Sequence, residues 1–160
     1  MAEKNALEQI RLIATTARAG YVKRGKTSGE WRRDLAGECV GASLAVSAAL
    51  KAAGFEARVY CGYFELDEPG TDDCRCGRLE GHNRACYFVP HAWVEVAGVI
   101  VDVSANQFDG RVYTSRPIGE VELAALDGSF YTRRLPAGVP GFSSARLRAF
   151  AGGTWRAGYL

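Results

Sequence analysis

Apolar residues recur at helical spacing in two stretches near the start of the chain. In residues 6–17, Leu7, Ile10, Ala14 and Ala17 fall three or four positions apart, with Ile13 beside them. That period gathers them on one stripe of a helix. In residues 38–53, Val40, Leu44 and Ala48 mark a second stripe, and Gly54 follows as a C-terminal stop. This second segment is crowded with Gly41, Ala42, Ser43, Ala45, Ser47, Ala49, Ala52 and Ala53. Small side chains let neighbours approach a backbone closely, so a central, buried helix is expected. Residues 20–34, between the two, are basic and turn-rich. They read as a connector that packs at least Trp31.

Further on the period changes to two. Residues 57–64 read as a strand and 85–89 as a short one. Residues 91–96 and 99–104 form a hairpin that turns at Ala97-Gly98. Residues 65–84 are polar and carry Pro69-Gly70, Gly77 and Gly81, which reads as a long loop and a candidate lid. Beyond Ser104 the pattern weakens: 112–114 and 130–134 read as short strands and 143–150 as a helix. Helices followed by antiparallel strands define an α+β fold, with N-terminal helices packed on an antiparallel sheet.

The hairpin register follows by counting. Val96 faces Val99, Glu95 faces Ile100, Val94 faces Val101 and Trp93 faces Asp102. One face then carries Ala92, Val94, Val96, Val99, Val101 and Val103. The other carries His91, Trp93, Glu95, Ile100, Asp102 and Ser104. Asp102 is diagonal to His91, about 7 Å away between backbones, a gap that side chains can close. A carboxylate so placed can fix the imidazole tautomer and leave the other ring nitrogen for a nucleophile. The bland alternative is a polar outer face on which both residues meet water.

Length and charge narrow the function. The 160 residues suit a single domain, 1–160. A net charge of +2 gives no electrostatic case for nucleic acid or an anionic membrane as partner. No apolar run reaches the roughly 18 residues that span a bilayer. The opening residues lack the apolar stretch of a secretory signal, so a cytoplasmic setting with reduced thiols is expected. Five cysteines, at 39, 61, 74, 76 and 86, are an odd number for a disulfide framework.

Cys39 opens the small-residue helix in Gly37-Glu38-Cys39. Free amides and the positive end of the helix dipole stabilise a thiolate there, and the same amides can receive an oxyanion. A buried structural thiol is the competing reading. Gly37-Glu38-Cys39, His91-Ala92-Trp93-Val94-Glu95-Val96 and Val101-Asp102, in that order, resemble the transglutaminase-like branch of the papain-like cysteine enzymes, small bacterial members included. The resemblance covers about residues 31–108 and leaves 109–160 as a C-terminal extension. It implies a Cys39 nucleophile, His91 as general base and acid, and Asp102 as orienter. It also implies acyl transfer through a thioester, with no cofactor required. Peptidase or amidase action on a peptide or protein is the expected outcome, with deamidation or crosslinking as variants. Candidates for oxyanion or substrate contact are Trp31, Trp93, Asn106 and Gln107. The geometry raises one difficulty: the valine face is the natural seat for the helix, yet Cys39 must reach the opposite face.

Cys74, Cys76, His82 and Cys86 supply four soft ligands within 13 positions, enough in number and type for structural zinc. A Cys61–Cys86 disulfide is a second reading. Reduced thiols on a substrate-facing loop are preferred to both. Two other functions compete with an enzyme: a peptide- or protein-binding module of the same fold without chemistry, and a zinc-stabilised interaction domain.

Overall fold

The computed structural model describes residues 2–28, 35, 38–69, 84–108, 118–126, 130–134 and 157–160; residues 2–3, 26–28, 66–69 and 84–87 are described as backbone. The architecture is α+β, with two helices packed on an antiparallel sheet. No helix among the described residues is long and apolar enough to cross a membrane.

Helix α1 spans Ala2–Ser28 and helix α2 spans Cys39–Ala52. The stripe read in α1 is the packed one: Ile10 and Ala14 are fully buried, and Ile13 and Ala17 pack beside them. The helix nevertheless runs well past Ala17, into the stretch read as a connector, as far as Ser28. Tertiary contacts override the turn-like composition there. Arg18 Nε donates to the Val103 carbonyl at 2.9 Å, and Arg18 also pairs with Glu120 at 3.2 Å. Tyr21, a turn further on, is buried against α2. Trp31 lies outside the described residues.

Helix α2 starts and ends where the sequence places it. It closes with Gly54 N–H donating to the Lys51 carbonyl and Phe55 N–H to the Leu50 carbonyl, the pair of bonds of a Schellman motif. Its buried stripe differs from the one expected. Leu44 is 48% exposed, whereas Cys39, Ala42, Ser43, Val46, Ser47 and Leu50 face the interior. Two of these are serines, which a hydropathy pattern counts as polar. Each hydroxyl finds a carbonyl: Ser43 donates to Ala92 at 3.2 Å and Ser47 to Ala57 at 3.3 Å.

Among the described residues six strands follow: β1 (Arg58–Pro69), β2 (Arg84–Val96), β3 (Val99–Asp102), β4 (Glu122–Ala125), β5 (Tyr131–Thr132) and β6 (Gly158–Tyr159). Their order is β4-β3-β2-β1-β5, with β6 also on β1. β1 and β2 are longer than expected. They absorb residues 65–69 and 84 from the segment read as loop, and they join 85–89 to 91–96 across Pro90. β3 pairs with β2 over Val96↔Val99, Glu95↔Ile100 and Val94↔Val101, the register obtained by counting. Pro90 lies beyond that pairing, where a strand with one neighbour can spare an N–H. The turn places Ala97 at φ 48° and Gly98 at φ 77°, the left-handed pair of a type I′ hairpin.

The two faces of this sheet are both buried. Ala92, Val94, Val96, Val101 and Val103 pack under α1 and α2 with Val59 and Cys61. Tyr60, Phe64, Trp93 and Ile100 form a second core with Ala105, Phe108 and Tyr131. β4 and β6, which no sequence pattern signalled, cover the two ends of the sheet. The expected elements at 112–114 and 143–150 lie outside the described residues.

Candidate active site

His91 sits in the middle of β2, opposite Gly62 of β1. Its side chain points to the second core and is 1% exposed, so the reading of a solvated polar face does not hold. Phe64 and Phe108 meet the ring edge-on at 5.6 and 5.1 Å. Gly62 is required for this packing. A side chain there would collide with the Trp93 ring and come within 2.8 Å of the Thr132 carbonyl.

Asp102, the last residue of β3, is completely buried. His91 Nε2 and Asp102 Oδ2 are 2.5 Å apart, the diagonal contact expected from the register. A carboxylate oxygen only accepts, so the hydrogen lies on Nε2 and Nδ1 is left for another partner. Oδ2 also accepts from the Tyr131 hydroxyl at 3.1 Å, while Oδ1 accepts from Ser104 N–H at 2.9 Å and Ser104 Oγ at 3.2 Å. These four donors match the acceptor sites of one carboxylate, which is how a buried charge becomes tolerable. The strand expected at 130–134 is present as β5, but nothing in its two residues signalled that Tyr131 would reach Asp102.

Cys39 is the first residue of α2 and packs with the valine face, yet its thiol acts on the His91 ring and raises its pKa. The end of β3 resolves the difficulty of the opposite face. β3 pairs with β2 only as far as Val94, and the Ala92 carbonyl is met instead by Ser43, one turn into α2. The start of the helix therefore reaches the level of His91 where the sheet has lost a strand. Glu38, the N-cap residue, makes no side-chain cap to the first-turn amides. Its carboxylate instead accepts from the Tyr21 hydroxyl at 2.8 Å. Tyr21 lies directly over Gly41, where any side chain would collide with its hydroxyl.

Electrostatics tie the three residues together. Burial alone would lower the His91 pKa; the charge and hydrogen bond of Asp102, and then Cys39, raise it to about 10. The ring is therefore held as imidazolium at neutral pH. Burial pushes the Cys61 thiol up to about 11, and the charge of Cys39 adds to it. Tyr21 is pushed well above the ordinary phenol range by burial and then by Glu38.

The remaining sequence candidates fare differently. Trp93 is fully buried and its indole donates to Glu95 at 3.2 Å, so it is a core residue with no face for substrate. Gln107 donates to the Ser104 carbonyl at 2.8 Å and braces the turn behind Asp102. Asn106 Oδ1 is buried without a hydrogen-bond partner, and no contact brings it to His91. Cys74, Cys76 and His82 lie outside the described residues, and Cys86 is described as backbone alone. Among the described residues no group of three metal-ligating side chains converges. The Cys61–Cys86 disulfide is ruled out: Cys61 is a free thiol opposite Ala92, whereas Cys86 stands opposite Asp67, six residues along β1. That offset is about 20 Å of strand.

No family model matches the chain, and no curated protein or solved structure is significantly similar to it.

Proposed function

We propose that the protein is a cysteine-dependent acyl-transfer enzyme of transglutaminase-like type, a peptidase or amidase acting on an amide of a peptide or protein. The observation that carries this reading is the position of one imidazole between a helix-start thiol and a buried carboxylate. In this reading the Cys39 proton rests on Nδ1 of His91, as a thiolate–imidazolium pair, while Nε2–H stays on Asp102. The thiolate attacks the amide carbonyl, and the developing oxyanion is received by the first-turn amides of α2. His91 then returns the proton to the leaving amine, which leaves a thioester on Cys39. Water, activated by the same ring, completes hydrolysis; an amine in its place gives transfer. Hydrolysis is the simpler outcome, because transfer needs a second site that excludes water.

Two observations favour an enzyme over a binding module. A merely structural imidazole gains nothing from contact with a thiol at a helix start, and a buried carboxylate with four donors is costly to build for shape alone. The test is alkylation of Cys39 by iodoacetamide at pH 5.5–6 (about 2.5–3 units below the ordinary thiol titration), with the labelled peptide identified by mass. Rapid labelling in the wild type, lost in Cys39→Ala and strongly slowed in His91→Gln, is expected. Labelling no faster than free cysteine would overturn the catalytic reading.

A further inference from the structure

Tyr131 stands outside the reaction as derived, yet its hydroxyl touches the same oxygen that orients His91. β5 delivers it to the second core through Phe64↔Tyr131 pairing. Its ring meets Phe64 edge-on at 5.1 Å and Trp93 at 5.3 Å, and the residue is 8% exposed. A phenylalanine would make those ring contacts equally well, so packing does not call for the hydroxyl. What the hydroxyl adds is the 3.1 Å bond to Asp102 Oδ2, beside the 2.5 Å bond from His91 Nε2.

We infer that Tyr131 is a positioning residue of this site, which shares Asp102 Oδ2 with His91 and thereby limits how tightly the carboxylate holds the imidazolium. The inference rests on the reading of Cys39 as nucleophile. Two donors on one oxygen divide its electron density, so each bond is weaker than it would be alone. The general acid must release its proton to the leaving amine. A ring gripped by an undivided carboxylate releases it reluctantly. Tyr131 thus balances two demands on His91: stay charged while the thiolate waits, and give up the proton when the amide breaks. Among the described residues, the titratable groups in contact with His91 and Asp102 are Cys39 from α2 and Tyr131 itself from β5. Cys61, Tyr21 and Glu38 lie behind Cys39. Phe64 and Phe108 supply uncharged walls.

The experiment compares wild type with Tyr131→Phe. Proton NMR of the hydrogen between His91 and Asp102 reads the bond directly, and it does so in a Cys39→Ala background as well. In Tyr131→Phe that low-field resonance moves further downfield, because Oδ2 is no longer shared. The pH of half-maximal Cys39 alkylation falls by about one unit, the equivalent of one hydrogen bond to a charged group. A purely structural role would lower the melting temperature and move neither reading. An unshifted resonance, or one that moves upfield, overturns the inference. If Tyr131→Phe does not fold, wild type grown on 3-fluorotyrosine replaces it: the stronger phenol donor moves the resonance upfield, and an unmoved resonance overturns the inference. If wild-type Cys39 labels no faster than free cysteine, the enzymatic reading falls, while the resonance still decides whether Tyr131 shares Asp102.

Discussion

The two faces of the sheet are buried to a similar degree but by different means. Under the helices lie Ala92, Val94, Val96, Val101 and Val103, aliphatic groups whose only demand is to be kept from water. On the other face lie His91, Asp102, Trp93 and Glu95, each tied to named partners. Glu95 accepts two 2.6 Å contacts from Arg133 and a 2.7 Å bond from the Tyr159 hydroxyl, and the Arg133 guanidinium lies 4.3 Å over the Tyr60 ring. Burial without direction tolerates change in proportion to volume. Directional burial fails abruptly, because one deletion strands every group that shared the bond.

The sharpest way to expose that contrast is Asp102→Ala. It strands the His91 ring, the Tyr131 hydroxyl and both Ser104 donors inside the second core. Urea denaturation should show a loss of about 3–5 kcal/mol, the usual penalty for breaking a buried pair. Rapid alkylation of Cys39 should vanish with it. Gly62→Val comes next, since it drives a side chain into Trp93 and the Thr132 carbonyl, for a loss of up to about 3 kcal/mol on the same measurement. On the helix-covered face, Val94→Ala removes two methyl equivalents and should cost about 2 kcal/mol. Its alkylation profile should stay that of the wild type; a changed profile would mean that the two faces are not independent.

The smallest effect, per pH unit, needs no substitution. The folded His91 pKa, about 10, stands above the ordinary 6.5. The folded protein therefore keeps a proton that the unfolded chain loses between those values. Stability from this pair is complete below about pH 6.5 and declines as pH rises toward 10, by at most about 1.4 kcal/mol per unit. Denaturation midpoints in that window should fall with pH in wild type and flatten in His91→Gln.

What could be read from the sequence follows the same division. Alternation and a two-residue turn fixed the β2–β3 register, and with it the His91–Asp102 diagonal. Small residues and Gly54 bounded α2. Those signals are local, so the chain displays them without tertiary help. The cover of the second face was harder to read: Phe108 sits in a single 3-10 turn, and Tyr131, Arg133 and Tyr159 lie far along the chain on or beside two-residue strands, so a strand read at 130–134 carried no sign of what its side chains meet. The length of α1 was hidden for a related reason: Arg18 fell just past the expected helix and Tyr21 within the basic connector, and neither shows its role until Val103, Glu120 and α2 are brought to them. In α2, serines with carbonyl partners displaced the hydropathic stripe.

The outer edge of β1 is closed by β5 and β6, the last strands to be made. During synthesis the long β1–β2 hairpin exists while 35 further residues, 97–131, are still to emerge before Tyr131 can dock. Through that interval the edge of β1 offers unpaired amides to any passing strand. A ribosome stalled short of β5 would hold a chain with the thiol, the imidazole and the carboxylate already made but one side of the aromatic cover missing. Expression yield should therefore respond more to the speed of translation past Thr132 than to changes within the helices.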